Sequence, residues 1–571
     1  MKKKIMSIIS LVLIVTMLLM GCKTATEEAQ TGTTSTDNQS ATTEVITIGS
    51  SEVVVDTEFT ANDLEVGYEE ATATKIILNG NGIAVSGDGA SATDNVLTIT
   101  QEGSYILEGS LNDGQIIVDA GDNDKVQLIL NGVAITCLSN APIYVKNADK
   151  VFLTLAAGTD NSLIDGAQYI QTDENEVDGV IYSKADLTLN GSGSLSITGN
   201  YKHGIVSKDE LVITGGIYNI TTVKDAINGK DCVKIKDGVF TLSSETGDGI
   251  QSKNSDDSTK GYVYISGGTI DILQSEEGIE GTAIIIEDGV ITINATDDGF
   301  NAASGSTDTN ENTTLPNQGT VPSADTMSSQ ENDNTIVSNI VVTESMETEV
   351  SALSSATTDT SADDSNIARG PGGARRGGAA PDGQAPNGDF PGGMGKGGFG
   401  GGDAFEVDEN CYIQISGGTI TVNAQGDGID SNGSLYISGG TIYVNGPTES
   451  MNGSIDYTGT GEITGGIVIA AGSAGMAQGF GESSTQYSIL YNLNTSAKAN
   501  DTITLTDEKG KEIVQFTPSK QYQSVVISTP ELVQGETYTL TCGDQTTEIT
   551  LTSIITSNGQ SGWMGQREMG R

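Results

Sequence analysis

The sequence predicts an all-β chain: a parallel β-helix, which is a solenoid of short stacked strands, followed by a small C-terminal β domain. Runs of alternating apolar residues bounded by Gly, Asn and Asp are typical of half-buried strands. A unit of acidic residue, Gly, apolar residue, strand, Gly turn and strand recurs about every 20–30 residues, the spacing of a solenoid. After the first residues, no amphipathic helical pattern appears.

Composition and charge exclude some classes of function and indicate the kind of core. The chain has 571 residues, and its 27 Lys and Arg against 76 Asp and Glu give a formal net charge of −49. Such a chain repels nucleic acid and attracts cations, so we expect no nucleic-acid partner. Aromatic residues make up only 5% of the chain and Gly numbers 74, which favours a narrow core of Val, Ile, Leu and Thr. We expect a monomer.

The N-terminus is typical of an export signal. Residues 1–22, "MKKKIMSIISLVLIVTMLLMGC", place three lysines before an apolar run from Ile5 to Met20. The "LMGC" stretch resembles the bacterial lipoprotein cleavage box, which implies lipidation of Cys22. We therefore expect a protein held at the extracellular face of the cell membrane by its lipid anchor alone. The alternative is an ordinary secretory signal with a chance cysteine.

The rest of the chain divides by composition. Segments rich in Ser, Thr, Glu, Gln or Gly bury too little apolar surface to order themselves. The other cysteines are far apart and form no CxxC pair, so zinc chemistry has no support. The expected divisions are a disordered tether (23–65), the β-helix (66–480), a disordered Gly/Ser/Arg-rich insertion within it (303–404), the C-terminal β domain (481–556) and a disordered tail (557–571).

Alignment of the units reveals repeated oxygen-bearing side chains. In a stacked solenoid they form columns with neighbours about 4.8 Å apart. The acidic step holds Asp178, His203, Asp225, Asp248, Glu277, Asp298 and Asp427 in successive units. Three positions later, from the third unit on, stand Asn228, Gln251, Glu280, Asn301 and Asp430, and second acids precede two of the steps at Glu276 and Asp297.

These columns predict calcium between the repeats. Close carboxylates repel one another, and a divalent cation removes the conflict. Calcium takes about 6–8 oxygens from carboxylates, amides, carbonyls and water. The alternative is turn chemistry alone, because Asp-Gly is a common turn dipeptide. The predicted metal ligands are Asp248, Glu277, Glu280, Asp297, Asp298, Asp427 and Asp430.

Two further residue types bear on catalysis. His203 is the only histidine and occupies an acidic slot, so we interpret it as structural and assign no catalytic residue. Lysines follow the acidic step in four units, where they balance charge or, alternatively, act as the base of a calcium-dependent lyase. These lysines are Lys184, Lys208, Lys230 and Lys253.

The order of these motifs resembles a known family. The lipobox, "DGVIYSKADLTLNGSGSLSITGN", the "DGI…SK…YISGGTI" units, the Gly/Arg/Pro-rich insertion and the β tail resemble clostridial carbohydrate-binding domain proteins, over about residues 75–555. The resemblance implies a right-handed parallel β-helix similar to pectate lyases, with bound calcium. It also implies binding, rather than cleavage, of cellulose and of acidic sugars such as polygalacturonate. Carried over, the calcium positions would include Asp248, Glu277, Asp298 and Asp427.

We therefore expect a surface-anchored, non-catalytic, calcium-dependent binder of acidic plant cell-wall polysaccharide. The alternatives are a pectate-type polysaccharide lyase and a structural surface adhesin in which calcium only stiffens the repeats. Low aromatic content argues against a flat platform for cellulose, although several tyrosines could contribute locally. They are Tyr182, Tyr262, Tyr264, Tyr412, Tyr436 and Tyr443.

Overall fold

A computed structural model describes residues 45–46, 51–304 and 407–558, and these belong to one compact unit. The signal peptide with Cys22, most of the expected tether, residues 305–404 of the insertion and the final residues 559–571 lie outside the described residues. Across the described part of the chain, no helix has the length and apolar character needed to cross a bilayer.

The described chain is nearly all β, as the sequence predicts. Its one helix, α1 (Ala61–Leu64), begins with a capping box in which Thr60 and Asp63 exchange hydrogen bonds. The N-terminal strands are β1 (Val45–Ile46), β2 (Val55–Asp56), β3 (Thr74–Gly80), β4 (Ile83–Ser86), β5 (Ala90–Thr93), β6 (Val96–Ile99), β7 (Gly103–Leu111), β8 (Gln115–Asp119), β9 (Lys125–Cys137), β10 (Ile143–Asn147), β11 (Lys150–Leu155) and β12 (Asp160–Asp165).

The middle of the chain contains short strands in sets of three, and each set is called a repeat below. They are β13 (Gly179–Ser183), β14 (Asp186–Gly191), β15 (Ser194–Gly199), β16 (His203–Ser207), β17 (Glu210–Ile213), β18 (Ile217–Thr222), β19 (Ile227–Gly229), β20 (Cys232–Ile235), β21 (Val239–Ser244), β22 (Ile250–Ser252), β23 (Tyr262–Ile265), β24 (Thr269–Ser275), β25 (Ile279–Gly281), β26 (Ala283–Ile286), β27 (Val290–Ala295), β28 (Phe300–Ala302), β29 (Tyr412–Ile415), β30 (Thr419–Ala424), β31 (Ile429–Ser431), β32 (Ser434–Ile437), β33 (Thr441–Asn445), β34 (Asp456–Tyr457), β35 (Gly461–Ile463) and β36 (Ile467–Gly472).

Strand pairing in the repeats is parallel and follows a fixed rule. Each strand from β13 to β33 pairs with the strand three elements before it and the strand three elements after it, as β28 does with β25 and β31. A twelve-stranded sheet collects the first strand of every repeat. The pairing continues in register across the insertion, since β29 pairs with β26 and β30 with β27. The chain therefore resumes at residue 407 beside the repeat it left.

The core follows from this stacking. Inward positions on successive strands carry Ile, Val and Leu, as at Ile284, Ile413 and Leu435, all fully buried. Parallel sheets buried on one face favour such β-branched rows. The Gly-Gly turns have the positive φ that the sequence suggests, with Gly418 and Gly440 both at φ +84°.

The glycine of each acidic-Gly step serves a different purpose. A Cβ on Gly428 would lie 2.2 Å from a methyl carbon of Val444 and 2.5 Å from the Ser454 carbonyl oxygen. A Cβ on Gly299 would lie 2.5 Å from the Gly428 carbonyl oxygen. Neighbouring repeats therefore approach very closely at these steps, which explains why Gly follows the acid in most repeats. The Asp225 step is the exception, because the fully buried Ala226 follows it.

The substitution Gly428→Ala tests this close approach. The added methyl must push the next repeat away, and we expect the free energy of unfolding to fall by about 3 kcal/mol. Gly82→Ala is the control, because a Cβ there meets no atom within 4 Å. Denaturant unfolding of both variants measures the effect, and equal stabilities would contradict the close approach as the reason for Gly.

The C-terminal strands pack on the last repeat. They are β37 (Ser488–Ala497), β38 (Ile503–Asp507), β39 (Glu512–Phe516), β40 (Tyr522–Ser528), β41 (Thr537–Cys542), β42 (Gln545–Thr550) and β43 (Ile555–Ser557). Strands β39, β38, β41 and β42 form an antiparallel sheet, and β40 pairs antiparallel with β36 and β37. Ile469 and Ala471 of β36 share a buried cluster with Val525 and Ile527 of β40. The edge of β36 is thereby covered rather than left open to aggregation.

Residues 51–65 correct the expected tether. The sequence places them within a disordered segment, because their neighbours are Ser, Thr, Glu and Gln. In the structure Val53 and Val55 are 1% and 0% exposed and pack against a cluster on strands β20, β23, β26 and β29. Two valines at alternate positions supply enough apolar burial to order this stretch, which the average composition concealed.

Candidate metal centre

The acidic steps form a column linked by hydrogen bonds between repeats. Asp248 Oδ1 accepts a hydrogen bond from the Glu277 amide at 3.2 Å, and Asp298 Oδ1 accepts one from the Asp427 amide at 2.6 Å. Asp427 Oδ1 in turn accepts one from the Gly453 amide. One oxygen of each carboxylate therefore satisfies the backbone of the next repeat, as a turn residue would. The second oxygen is left for another partner.

A second column lies three residues further along. The residues Gln251, Glu280, Asn301, Asp430 and Asp456 occupy the same register position in five successive repeats. Gln251 Nε2 donates to both Asp248 Oδ2 (2.6 Å) and Glu280 Oε2 (2.7 Å). The Gln251 side-chain amide thus links the two columns and lies between the carboxylates of Asp248 and Glu280.

Asp456 is not among the predicted ligands. Its repeat has Gly453 where most others carry an acid, so the acidic-Gly signal is absent. The signal that identifies it is the following "ITGG" turn, which aligns Asp456 with Asp430.

The first cluster, called the lower group, contains Asp248, Glu277 and Glu280. One carboxylate oxygen from each lies within 4.8 Å of the others. Burial, then the charge of Glu280, raises the pKa of Asp248 far above its usual range, and the same two causes raise that of Glu277 to about 8. Lys253 forms an ion pair with Glu280, and this attraction outweighs burial to raise the pKa of Lys253. The lower group therefore already contains a cation.

The second cluster, called the upper group, contains Asp298, Asp427 and Asp430, again within 4.8 Å. Burial, assisted by the charges of neighbouring acids, raises the pKa of Asp298 and of Asp427 to about 7 and that of Asp430 to about 8. The charge of Asp456 raises all three. Among the described residues, no Lys, Arg or His forms an ion pair with any member. These carboxylates could bind a metal ion.

Neutral oxygens without donors accompany the carboxylates. Asn301 Nδ2 donates to Glu277 Oε1 at 2.8 Å, yet Asn301 Oδ1 is buried with no hydrogen-bond donor among the described residues. Asn301 pairs in register with Asp430 of the upper group. Glu277 Oε2 is likewise buried without a donor in the described part of the chain. Buried oxygens without a donor are costly unless a cation or water satisfies them. The donor set therefore suits a hard cation.

Six of the seven predicted ligands fall in these two groups. The exception is Asp297, which is exposed and outside both clusters. Its charge nevertheless raises the pKa of Asp298 and Asp427. Asp298 and Asp427, 129 residues apart in sequence, are direct neighbours because the chain resumes in register after the insertion.

His203 occupies the acidic column as expected. Its Nδ1 lies 3.1 Å from Asp225 Oδ2, and its Nε2 lies 4.0 Å from Asp178 Oδ2. Although burial raises the pKa of Asp225, contact with His203 outweighs it and holds that pKa below its usual range. The histidine therefore separates two carboxylates, and this supports a structural role.

The lysines that follow the acidic steps mostly balance charge. Lys208 lies 3.7 Å from Asp178, Lys230 pairs with Asp256 and Lys253 with Glu280. Lys184 is the exception, because it donates to the Asn175 amide oxygen at 2.7 Å. The ion pairs of the other three favour charge balance over the role of a base.

The structure removes most of the expected tyrosines from the surface. Tyr182, Tyr262, Tyr264 and Tyr412 are between 2% and 5% exposed. A ring must present a free face to stack on a sugar, so these four cannot do so here. Apolar alternation along a strand does not predict the burial of these tyrosines, because another segment of the chain covers the outward face of the sheet.

Comparison with known proteins assigns the family. A family model described as carbohydrate-binding domain-containing protein matches residues 93–361. A protein of that name from Acetivibrio thermocellus is 38% identical over 196 residues, covering 34% of this chain and 68% of the relative. The chain belongs to this family of carbohydrate-binding domain-containing proteins. A solved structure, of the polysaccharide lyase-like protein from C. thermocellum, is 34% identical, covering 41% of this chain and 93% of that one with a TM-score of 0.36.

The range matched by the family model contains only part of the candidate metal centre of this carbohydrate-binding domain-containing protein. The lower group and Asp298 lie inside the matched range, whereas Asp427 and Asp430 lie beyond it. The upper group is therefore completed by residues that follow the insertion.

Proposed function

We propose that this protein is a lipid-anchored, non-catalytic receptor at the extracellular face of the cell membrane. It binds plant cell-wall polysaccharide in a calcium-dependent manner and prefers acidic sugars such as polygalacturonate. The observation that carries the proposal is the upper group, where three carboxylates lie within 4.8 Å of one another in a carbohydrate-binding family member. The anchor rests on the sequence "LMGC" ending at Cys22.

The proposal includes a right-handed parallel β-helix. Parallel pairing between strands three elements apart requires the chain to advance by one strand spacing per repeat. Crossovers between parallel strands of one sheet are right-handed in about 98% of cases. Such winding holds side chains of successive repeats in columns, which is what a binding surface extended along a polymer needs.

Calcium suits the upper group better than the lower group. Calcium takes about 6–8 oxygens at roughly 2.3–2.6 Å, and the upper group offers carboxylates of Asp298, Asp427 and Asp430 with the amide oxygen of Asn301 nearby. In the lower group, Lys253 already neutralises Glu280. A divalent ion there would have to displace the ammonium group. We therefore assign calcium to the upper group first.

Calcium also explains how an acidic protein binds an acidic polymer. A chain with net charge −49 repels polygalacturonate. An ion held by protein carboxylates reduces the local negative charge and keeps coordination positions open for a uronate carboxylate. The same ion therefore stabilises the repeats and recruits the ligand.

Affinity electrophoresis through polygalacturonate gels tests the proposal. The protein comprising residues 23–571 is run with calcium and with a chelator, beside a gel containing a neutral cellulose derivative. We expect retardation by polygalacturonate only with calcium. The absorbance of unsaturated uronate products is followed in parallel, and we expect none.

Three results would overturn the proposal. Equal mobility in all gels would leave the acidic columns as links between repeats only. Retardation that persists in chelator would separate binding from the cation. Accumulation of unsaturated products would identify a lyase instead of a receptor.

A further inference from the structure

Residues 51–65, called the strap below, lie against the outer face of one sheet. Two of its three valines, Val53 and Val55, are buried, whereas Val54 between them is 46% exposed. The strap valines pack in a cluster with residues of the sheet, and Phe59 stacks beside Tyr264 with ring centroids 6.0 Å apart. The sheet residues of this cluster are Cys232, Tyr262, Tyr264, Ala283, Ile285 and Tyr412.

Polar contacts fix both ends of the strap. At its beginning, the Glu52 amide donates to Asn410 Oδ1 at 2.8 Å. At its end, Asp63 is 1% exposed, accepts a hydrogen bond from Thr188 Oγ1 at 2.6 Å and lies 2.9 Å from Lys150 Nζ. These contacts hold the strap along its whole length rather than at one point.

The charges of strap and sheet are complementary. Lys234 on the sheet is only 2% exposed, and its ammonium donates to Asp56 Oδ2 at 2.9 Å and to the Glu58 carbonyl at 2.5 Å. Lys150 meets Asp63 in the same way. The sheet therefore supplies buried cations and the strap supplies the carboxylates, so the groove is suited to this extended segment.

The strap crosses many repeats. Its contacts run from Lys150 on β11 through Thr188 on β14, Lys234 on β20 and Tyr262 on β23 to Tyr412 on β29. Strands β11, β14, β17, β20, β23, β26 and β29 are successive neighbours in one sheet. At about 4.8 Å per strand this is a span of about 29 Å, which an extended segment of ten residues covers.

We infer that the strap is a longitudinal clamp that couples these repeats into one cooperative unfolding unit. In stacked repeats each unit contacts only its neighbours, so repeats can unfold separately. The strap also connects strands as far apart as β11 and β29, which are separated by five other strands of the sheet. Loss of any one repeat therefore breaks strap contacts that the other repeats share.

The experiment compares Val55→Asp with Val54→Asp in the full chain at constant calcium concentration. The first buries a charge under the strap, and the second adds the same charge one residue away on the exposed side. Native-state hydrogen exchange with mass spectrometry follows strap amides and strands β14, β20 and β26 across a denaturant series. Asp63→Asn, with Asn62→Ala as its control, provides a milder release if Val55→Asp does not fold.

In the unsubstituted protein we expect β14, β20 and β26 to lose protection together. In Val55→Asp the strap amides should exchange on the order of tenfold faster or more, and the three strands should lose protection at separate denaturant concentrations. Val54→Asp should behave like the unsubstituted protein. Rapid exchange of the strap in the unsubstituted protein would overturn the inference. So would strap release that leaves the three strands unfolding together.

Discussion

Replacing Asp427 and Asp430 together by asparagine is expected to abolish calcium binding while leaving the fold intact. Both residues belong to the upper group, and asparagine keeps their size while removing two charges from the ligand set. Calcium affinity depends on the number of charged ligands, so we expect the dissociation constant to rise on the order of 100-fold or more. Isothermal titration of calcium into the unsubstituted and doubly substituted proteins measures this loss.

The same substitution should act oppositely on the calcium-free protein. Burial of Asp298, Asp427 and Asp430, together with repulsion from neighbouring acids, destabilises their charged forms when no cation is bound, as their raised pKa values indicate. Neutralising two of them should raise the melting temperature in chelator. We expect calcium to raise the melting temperature of the unsubstituted protein and not that of the variant.

The matched control removes two charges from the lower group, by Asp248→Asn with Glu280→Gln. Lys253 already neutralises Glu280 there, so this variant should keep its calcium affinity and lose stability instead, because the half-buried Lys253 loses its partner. A variant of the lower group that loses calcium while the upper variant keeps it would reverse our assignment. Equal losses in both would indicate that the two groups bind as one site.

The sequence contained most of this centre because stacking converts periodicity into proximity. Once the units are aligned on the acidic-Gly step, register alone brings Glu280, Asn301 and Asp430 to one column. The long separation of Asp298 and Asp427 did not matter, since the insertion leaves and rejoins neighbouring positions. The repeat therefore allowed a contact between residues 129 positions apart to be predicted from the sequence.

The strap could not be predicted in the same way. Its position on the sheet is set by individual contacts, such as Asp63 with Thr188 and Asp56 with Lys234. These contacts do not recur from repeat to repeat, so the repeat pattern does not predict them. The consequence extends to the surface, because the strap buries tyrosines that strand alternation assigns to solvent. Non-repeated segments thus decide which outward faces are available for ligands.

The stability of the calcium-free protein should depend on pH, and the pKa values of the upper group determine the direction of that dependence. The pKa of Asp298 and Asp427 is about 7 in the folded protein and that of Asp430 about 8, against roughly 4 in an unfolded chain. Between these limits the folded state binds more protons than the unfolded state. Without a divalent cation, the contribution of the upper group to stability should therefore fall as pH rises from about 4 to about 8.

The size of this fall can be bounded, and calcium should remove it. A rise of three pKa units in one carboxyl corresponds to about 4 kcal/mol. The three carboxyls share their mutual repulsion, so their combined effect is less than three times that value. Calcium displaces the protons of the upper group, so melting temperatures should decline less in calcium than in chelator from pH 5 to pH 8, as thermal unfolding across that range would measure. The Asp427→Asn, Asp430→Asn protein should show a reduced decline in chelator. A calcium-free protein whose stability rises towards pH 8 would contradict this prediction. That result would indicate that the carboxylates of the upper group are already ionised in the folded state and neutralised by another partner.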